Sequence, residues 1–205
     1  KNIKVYLDFT SLFQSKPNIE KISLDSNEIS IEQLKKILIK SKPSNFNSFI
    51  LNNVNKGIIK TNLELYLDDN FKIKNYIAKG EGYKIKVKIN KNLKFENTKF
   101  NFFADQSDIL VKNISSKSKG LTINDGNIQL EKNENIRIRS NFTTEINLNK
   151  TNSENYLFLL KKINYNPNHN IFKAKLNHNL EFIFDKTFKV INYDYRNFII
   201  GTCYI

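Results

Sequence analysis

The sequence predicts a mainly β protein with minor α: a long antiparallel sheet built as a meander of hairpins, with two or three short helices packed on it or at its end. Three observations predict it. Apolar and polar residues alternate with a period of two over most of the 205 residues, the signature of strands with one dry and one wet face. Clusters of Asn, Asp and Gly interrupt the alternation at spacings too short for anything but antiparallel neighbours. The period becomes helical only around 30–54 and again near 153–163.

In chain order, IKVYLDF (3–9) and IEKISL (19–24) read as short strands. Ser30 and Gln33 have capping-box spacing, and Ile31, Leu34, Ile37 and Leu38 form one helical stripe that Pro43 ends near Ser41. Phe46, Phe49, Ile50 and Val54 give a second stripe over 45–54, closed by Gly57. Alternation then returns. Leu63, Leu65 and Leu67 lead to a turn at 68–70, which pairs Leu67 with Phe71 and Leu65 with Ile73. Gly80-Glu81-Gly82 reads as the next break. In 83–95, Tyr83, Ile85, Val87, Ile89, Leu93 and Phe95 oppose an all-polar even set; the segment is one long strand or is turned at 90–92. Two weaker strands fill 98–118.

The longest alternation is GLTINDGNIQLEKNENIRIRSNFTTEINL at 120–148. Asp125-Gly126 suits a type I′ hairpin turn, placing Ile123 opposite Ile128 and Leu121 opposite Leu130. A reversal near Asn133 then puts Leu130 beside Ile136 and Ile128 beside Ile138. A strand over 136–148 is about 43 Å long at about 3.3 Å per residue. Thr151 to Glu154 begins a third short helix; Phe172, Ala174, Leu176, Leu180, Phe182 and Phe184 alternate around a turn at 177–179, and 185–187 reverses into the last strand. The chain reads as one β-rich segment, 1–205: lead-in strands and helical hairpin (1–56), β-meander (57–150), and helix plus terminal strands (151–205). It has no Met, even at position 1, and begins and ends in strand-like sequence, so we read it as a piece of a longer protein.

The formal charge of +13 raises the question of nucleic acid. Only Arg137, Arg139 and Arg196 among the 33 basic residues are arginines, although Arg is the preferred group for bidentate phosphate and base contacts. The lysines are scattered, so they read as a solvated face and no nucleic acid is expected; anionic lipid headgroups are a further partner for that charge. Cys203 stands alone, which excludes an intramolecular disulfide framework and a cysteine zinc cluster. No run of 18 apolar residues exists.

No catalytic residues, cofactor or metal site are read from the sequence. His169 and His178 lack a carboxylate at ligand spacing. Gly80-Glu81-Gly82 lacks the third glycine and the helix of a phosphate loop, and Asp68-Asp69-Asn70 lacks the Gly and Glu of a calcium loop. The chain is read as a non-enzyme. The open question is what covers the apolar side of so many strands: a second sheet, a closed barrel interior, the chain's own helices, or a guest in an open trough.

Three stretches carry a family resemblance: PNIEKISLDSNEISIEQLKKIL (17–38), KGIIKTNLELYLDDNFKIKNYIAKGEGYKIKVKIN (56–90) and GLTINDGNIQLEK (120–132). In their order of strand, short helix and repeated hairpins they resemble the AsmA-like superfamily of bacterial envelope proteins, specifically its YhdP-type central region. The resemblance implies a curved, taco-like sheet within a bridge between inner and outer membranes that moves phospholipid across the periplasm. It also implies an inner-membrane anchor on a part of the chain not present here, and flanking strands of the parent chain as partners. The acyl chains would then lie against Leu63, Leu65, Ile85, Val87, Ile89, Phe100, Phe102, Ile123, Ile128, Leu130, Ile136, Ile138, Phe142, Ile146 and Leu148. The alternative of a different class is a structural or adhesive β-rich surface module that binds protein and whose sheet is fully self-covered.

Overall fold

Long alternating segments become long strands, and the stretch of helical period at 30–54 becomes a pair of helices. The computed structural model describes residues 2–8, 13, 18–41, 43–149, 151–153, 172–187 and 189–200. In order these form β1 (Asn2–Leu7), β2 (Ile19–Ser30), α1 (Ile31–Ile39), α2 (Asn45–Asn53), β3 (Val54–Leu67), β4 (Ile73–Lys88), β5 (Lys94–Ala104), β6 (Asp108–Ser118), β7 (Leu121–Lys132), β8 (Ile136–Leu148), β9 (Phe172–Phe184) and β10 (Val190–Ile199). The ten strands make a single antiparallel sheet whose spatial order is the chain order. It is a pure meander, with β1 and β10 at its two edges, and it unites all three parts into which the sequence was divided.

The helices start where local chemistry allows. Ser30 accepts from the Gln33 amide while the Gln33 side chain accepts from the Ser30 amide, the reciprocal capping box expected from the sequence. Ser44 caps α2 through the Asn47 amide. Three hairpin loops are organised by an aspartate whose carboxylate accepts backbone amides: Asp68 from Asn70 and Lys72, Asp105 from Ser107 and Asp108, Asp185 from Thr187 and Lys189. In the β4–β5 loop Asn90 does the same for Asn92 and Leu93, so the segment 83–95 is turned rather than continuous.

A seam of β-bulges crosses four consecutive strands. Lys84, Asn97, Asn113 and Asp125 have φ of 53°, 53°, 56° and 51°. The pairing register slips beside each, between Gly82 and Ile85, Glu96 and Lys99, Val111 and Ile114, and Asn124 and Asn127. Three of the four are Asn or Asp, which tolerate the left-handed region best among residues with a side chain. Each bulge adds a residue, bends its strand and raises the local twist. Each also switches which parity of the sequence faces which side.

This seam corrects one sequence reading. Asp125-Gly126 is not a hairpin turn; it lies inside β7, and the reversals fall at 119–120 and 133–135, the second setting Leu130 opposite Ile138 and Ile128 opposite Ser140 rather than opposite Ile136 and Ile138. The conformation that suits a type I′ turn also suits a bulge, so the dipeptide alone does not distinguish them. Two further breaks are strand interior. Gly80-Glu81-Gly82 runs through β4 because a close neighbour, not a turn, requires glycine there: a Cβ at Gly80 would lie 2.0 Å from the Lys60 carbonyl oxygen, and one at Gly82 2.6 Å from the Phe100 ring. Asn177-His178-Asn179 runs through β9. The hairpin at 68–72 pairs Leu67 with Ile73 and Leu65 with Tyr76, a register displaced from the expected one by an irregularity at Tyr66 and Leu67. The third helix expected near 153–163 lies, beyond Ser153, outside the described residues.

Candidate functional site

The register assigns every strand residue to one of two faces. One row crosses the whole sheet, each residue paired with the next: Ile3, Leu24, Leu63, Ala78, Ala104, Ile109, Leu130, Ile138, Phe182 and Tyr193. All ten are apolar or aromatic, one from each strand. A parallel row runs Ser26, Thr61, Gly80, Phe102, Val111, Ile128, Ser140, Leu180 and Tyr195. The opposite face carries the charges, tied across strands by Lys60–Glu81 (3.4 Å), Lys86–Glu96 (3.0 Å), Lys175–Glu145 (3.4 Å) and Arg139 between Glu131 (2.9 Å) and Glu181 (3.1 Å). A shallow recess of about 630 Å³ on that polar side is lined by Gln129, Arg139, Asn141, Glu181 and Asp194 among others.

Fourteen of the fifteen candidate residues share the apolar face: Leu63, Leu65, Ile85, Val87, Phe100, Phe102, Ile123, Ile128, Leu130, Ile136, Ile138, Phe142, Ile146 and Leu148. Ile89 is the exception; it sits past the end of β4 in the loop and is 46% exposed. The face is covered unevenly. At one end α1 and α2 close over it, where Ile31, Val54 and Ile85 form a buried cluster with Leu34, Ile50, Ile59, Val87 and Phe100. At the far end of β8, Leu148 is 3% exposed and packs with Leu93, Leu121, Ile146 and Phe172. Leu93 belongs to the β4–β5 loop, and β5 and β8 would lie about 14 Å apart in a flat sheet. Their contact shows the sheet and loop curling together over the apolar side.

Between these two closures the central row is neither buried nor fully exposed. Among the described residues no other helix or strand lies over it. Small residues thin this part of the face: Ala78, Gly80 and Ala104 on β4 and β5 leave the Phe100 and Phe102 rings lying against the β4 glycines. What results is a curved apolar trough, narrow in side-chain volume on one flank and aromatic on the other.

The trough also holds polar groups. Thr98 and Ser116 are buried and share a 2.6 Å hydrogen bond. His178 is 8% exposed, stacked on Phe142 with ring centroids 4.7 Å apart, and its Nδ1 lies 2.9 Å from the Tyr195 hydroxyl. Asn197 donates to that hydroxyl at 3.1 Å. Burial holds the His178 imidazole below the usual histidine pKa, which keeps it uncharged at neutral pH.

The sequence reading missed these groups for two reasons. Ser116 sits beyond the Asn113 bulge, so simple parity from Ile109 and Val111 puts it on the wrong side, whereas Thr98 shares the parity of Phe100 and Phe102 and was legible. His178 was legible: Phe172, Ala174, Leu176, Leu180, Phe182 and Phe184 share its parity, and continuing their alternation places it on the apolar face. His169 and Cys203 lie outside the described residues. Among the described residues no three metal-ligating side chains gather, and no helix is long and apolar enough to cross a membrane. No family model, no curated protein and no solved structure matches the chain.

Proposed function

We propose that this chain is a segment of a lipid-transfer protein of the bacterial envelope, whose apolar trough carries phospholipid acyl chains between inner and outer membranes. The observation that carries this reading is the ten-residue apolar row that crosses every strand and that no described element covers. Exposing so continuous an apolar surface to water is costly. Acyl chains stabilise the arrangement by removing both surfaces from water, at roughly 0.8 kcal/mol per methylene buried. A conduit needs no catalytic group. Long strands suit it as well: the 16 residues of β4 extend about 50 Å.

The edges fit a segment of a longer sheet. β1 and β10 have no outer strand among the described residues, and β10 presents Tyr193 (68% exposed) and Ile199 (61% exposed). Such an edge invites another strand, in this reading one from the flanking parent chain. The same exposed aromatic edge favours a second reading, a protein-binding adhesive module.

One experiment separates them. The chain is purified without detergent from bacterial membranes and its organic extract analysed by mass spectrometry, beside a variant carrying Leu130→Glu and Ile138→Glu. Copurifying phospholipid with the unaltered chain, reduced at least tenfold in a folded variant, supports the conduit. A lipid-free chain that also fails to take up fluorescent phospholipid sinks it.

A further inference from the structure

The imidazole of His178 has a hydrogen to give and, among the described residues, nothing to give it to. Asn197 Nδ2 donates to Tyr195 Oη, which occupies an acceptor position of the phenol and leaves its hydrogen for His178 Nδ1 at 2.9 Å. A phenol is the better donor of that pair, so Nδ1 accepts and the ring proton resides on Nε2. Nε2 is closed to water and has no hydrogen-bond partner among the described residues. Buried donors are nearly always paired. This one lies on the apolar face, between Leu176 and Leu180 along β9 and against the Phe142 ring.

We propose that His178 donates its Nε2–H to a carbonyl oxygen of the trough's guest, in an acyl ester or a fatty-acid carboxyl, and so fixes where the polar end of an acyl chain stops. The proposal rests on the lipid reading above. A carbonyl is the fitting partner because it accepts without donating and can be carried by an apolar chain. Water does not reach Nε2, so an acceptor has to enter on an apolar carrier pressed among the side chains of this face. The Asn197–Tyr195 relay holds the tautomer that makes the donor available.

The test uses the full chain labelled with ¹⁵N-histidine. Long-range ¹H–¹⁵N spectra report the tautomer of His178, assigned with His178→Phe. The probes are dioctanoyl-phosphatidylglycerol, its di-O-octyl ether counterpart and decanoate. The expected result is a ring protonated at Nε2, a His178 signal that moves with the ester lipid, and about tenfold tighter binding of ester than ether lipid. In His178→Phe that preference disappears. A response to decanoate but not to the ester lipid assigns the carbonyl to a free fatty acid and supports the same donor. A ring protonated at Nδ1, or equal binding of ester and ether lipids with an unmoved imidazole, overturns the proposal while leaving the conduit standing. Binding of no probe removes both.

Discussion

Ile123 and Ile128 stand on the same face of β7, although an odd number of positions separates them and a regular strand would set them on opposite sides. The bulge at Asp125 supplies the missing residue: Ile123 pairs with Thr144 and Ile128 with Ser140, both even positions of the unbroken β8. A left-handed backbone at Asp125 is therefore a condition for keeping the trough apolar on both sides of the seam. Replacing Asp125 with Val is expected to destabilise the chain by about 1–2 kcal/mol, the cost of that conformation for a branched side chain. Asp125→Gly is expected to match or exceed the unaltered protein. Urea unfolding of the two variants checks the ordering.

Gly80 tests the close packing of β3 on β4. A Cβ there would collide with the Lys60 carbonyl oxygen, which is backbone and cannot turn aside. Gly80→Ala is expected to cost about 2–3 kcal/mol, at the upper end of common single substitutions. Hydrogen exchange should show the loss first in the amides of Lys60 to Leu63. An unchanged melting temperature would mean that β3 and β4 pair in another register.

Leu148 closes one end of the trough against Leu93 of a loop three strands away. Leu148→Ala removes a nearly buried side chain and is expected to cost about 2–4 kcal/mol. If the contact sets the curvature, Leu93→Ala and Leu148→Ala are coupled, and the double variant loses less than the two single losses together. Additive losses would show that the loop does not hold the sheet there.

The strands and helices were legible because hydrophobic period needs no tertiary information. Leu63 and Leu65 could be placed on one face by counting, and Ser30 with Gln33 marked the start of α1. Bulges defeat counting. The sequence reads Asp125-Gly126 as a turn because turn and bulge draw on one left-handed conformation, and only the neighbouring strands decide between them. Ser116 was hidden for the same reason. The Gly80 and Gly82 positions were misread because their need for glycine comes from Lys60 and Phe100, which lie far away in sequence. The closure at Leu93 and Leu148 is a property of curvature, to which no local pattern corresponds.

Tyr83 lies at the seam and donates its hydroxyl to Glu28 of β2 at 2.5 Å. That bond, with a smaller contribution from desolvation, stabilises the protonated phenol and pushes its pKa up to about 12. Spectrophotometric titration should find late-ionising tyrosines: Tyr66, raised first by its own hydrogen bond to Glu64, and Tyr83. Glu28→Gln should return Tyr83 toward the ordinary value near 10. A titration curve unchanged by Glu28→Gln would mean that the contact between Tyr83 and Glu28 is not kept in solution.

Two sets of groups link stability to pH in separate windows. The folded pKa of His178 lies below its unfolded value near 6.5, because burial disfavours the charged ring. Above that value neither state binds the proton and the contribution is complete. As pH falls through about 6.5 the unfolded chain is protonated first, so stability drops until the folded pKa is passed. Asp105 and Asp185 are also held below their ordinary value, by hydrogen bonds from their turns: for Asp105 first from the Asp108 amide, for Asp185 first from the Thr187 side chain. Their contribution is complete above the ordinary carboxylate range and is lost as pH falls below it toward their folded values. Urea midpoints at pH 8, 6.5 and 5.5 should therefore fall more steeply for the unaltered chain than for His178→Phe, with the difference confined to that interval. Parallel midpoints across all three pH values would show that His178 is as accessible to protons in the folded sheet as in the unfolded chain, and would contradict its burial between the rings of Phe142 and Tyr195.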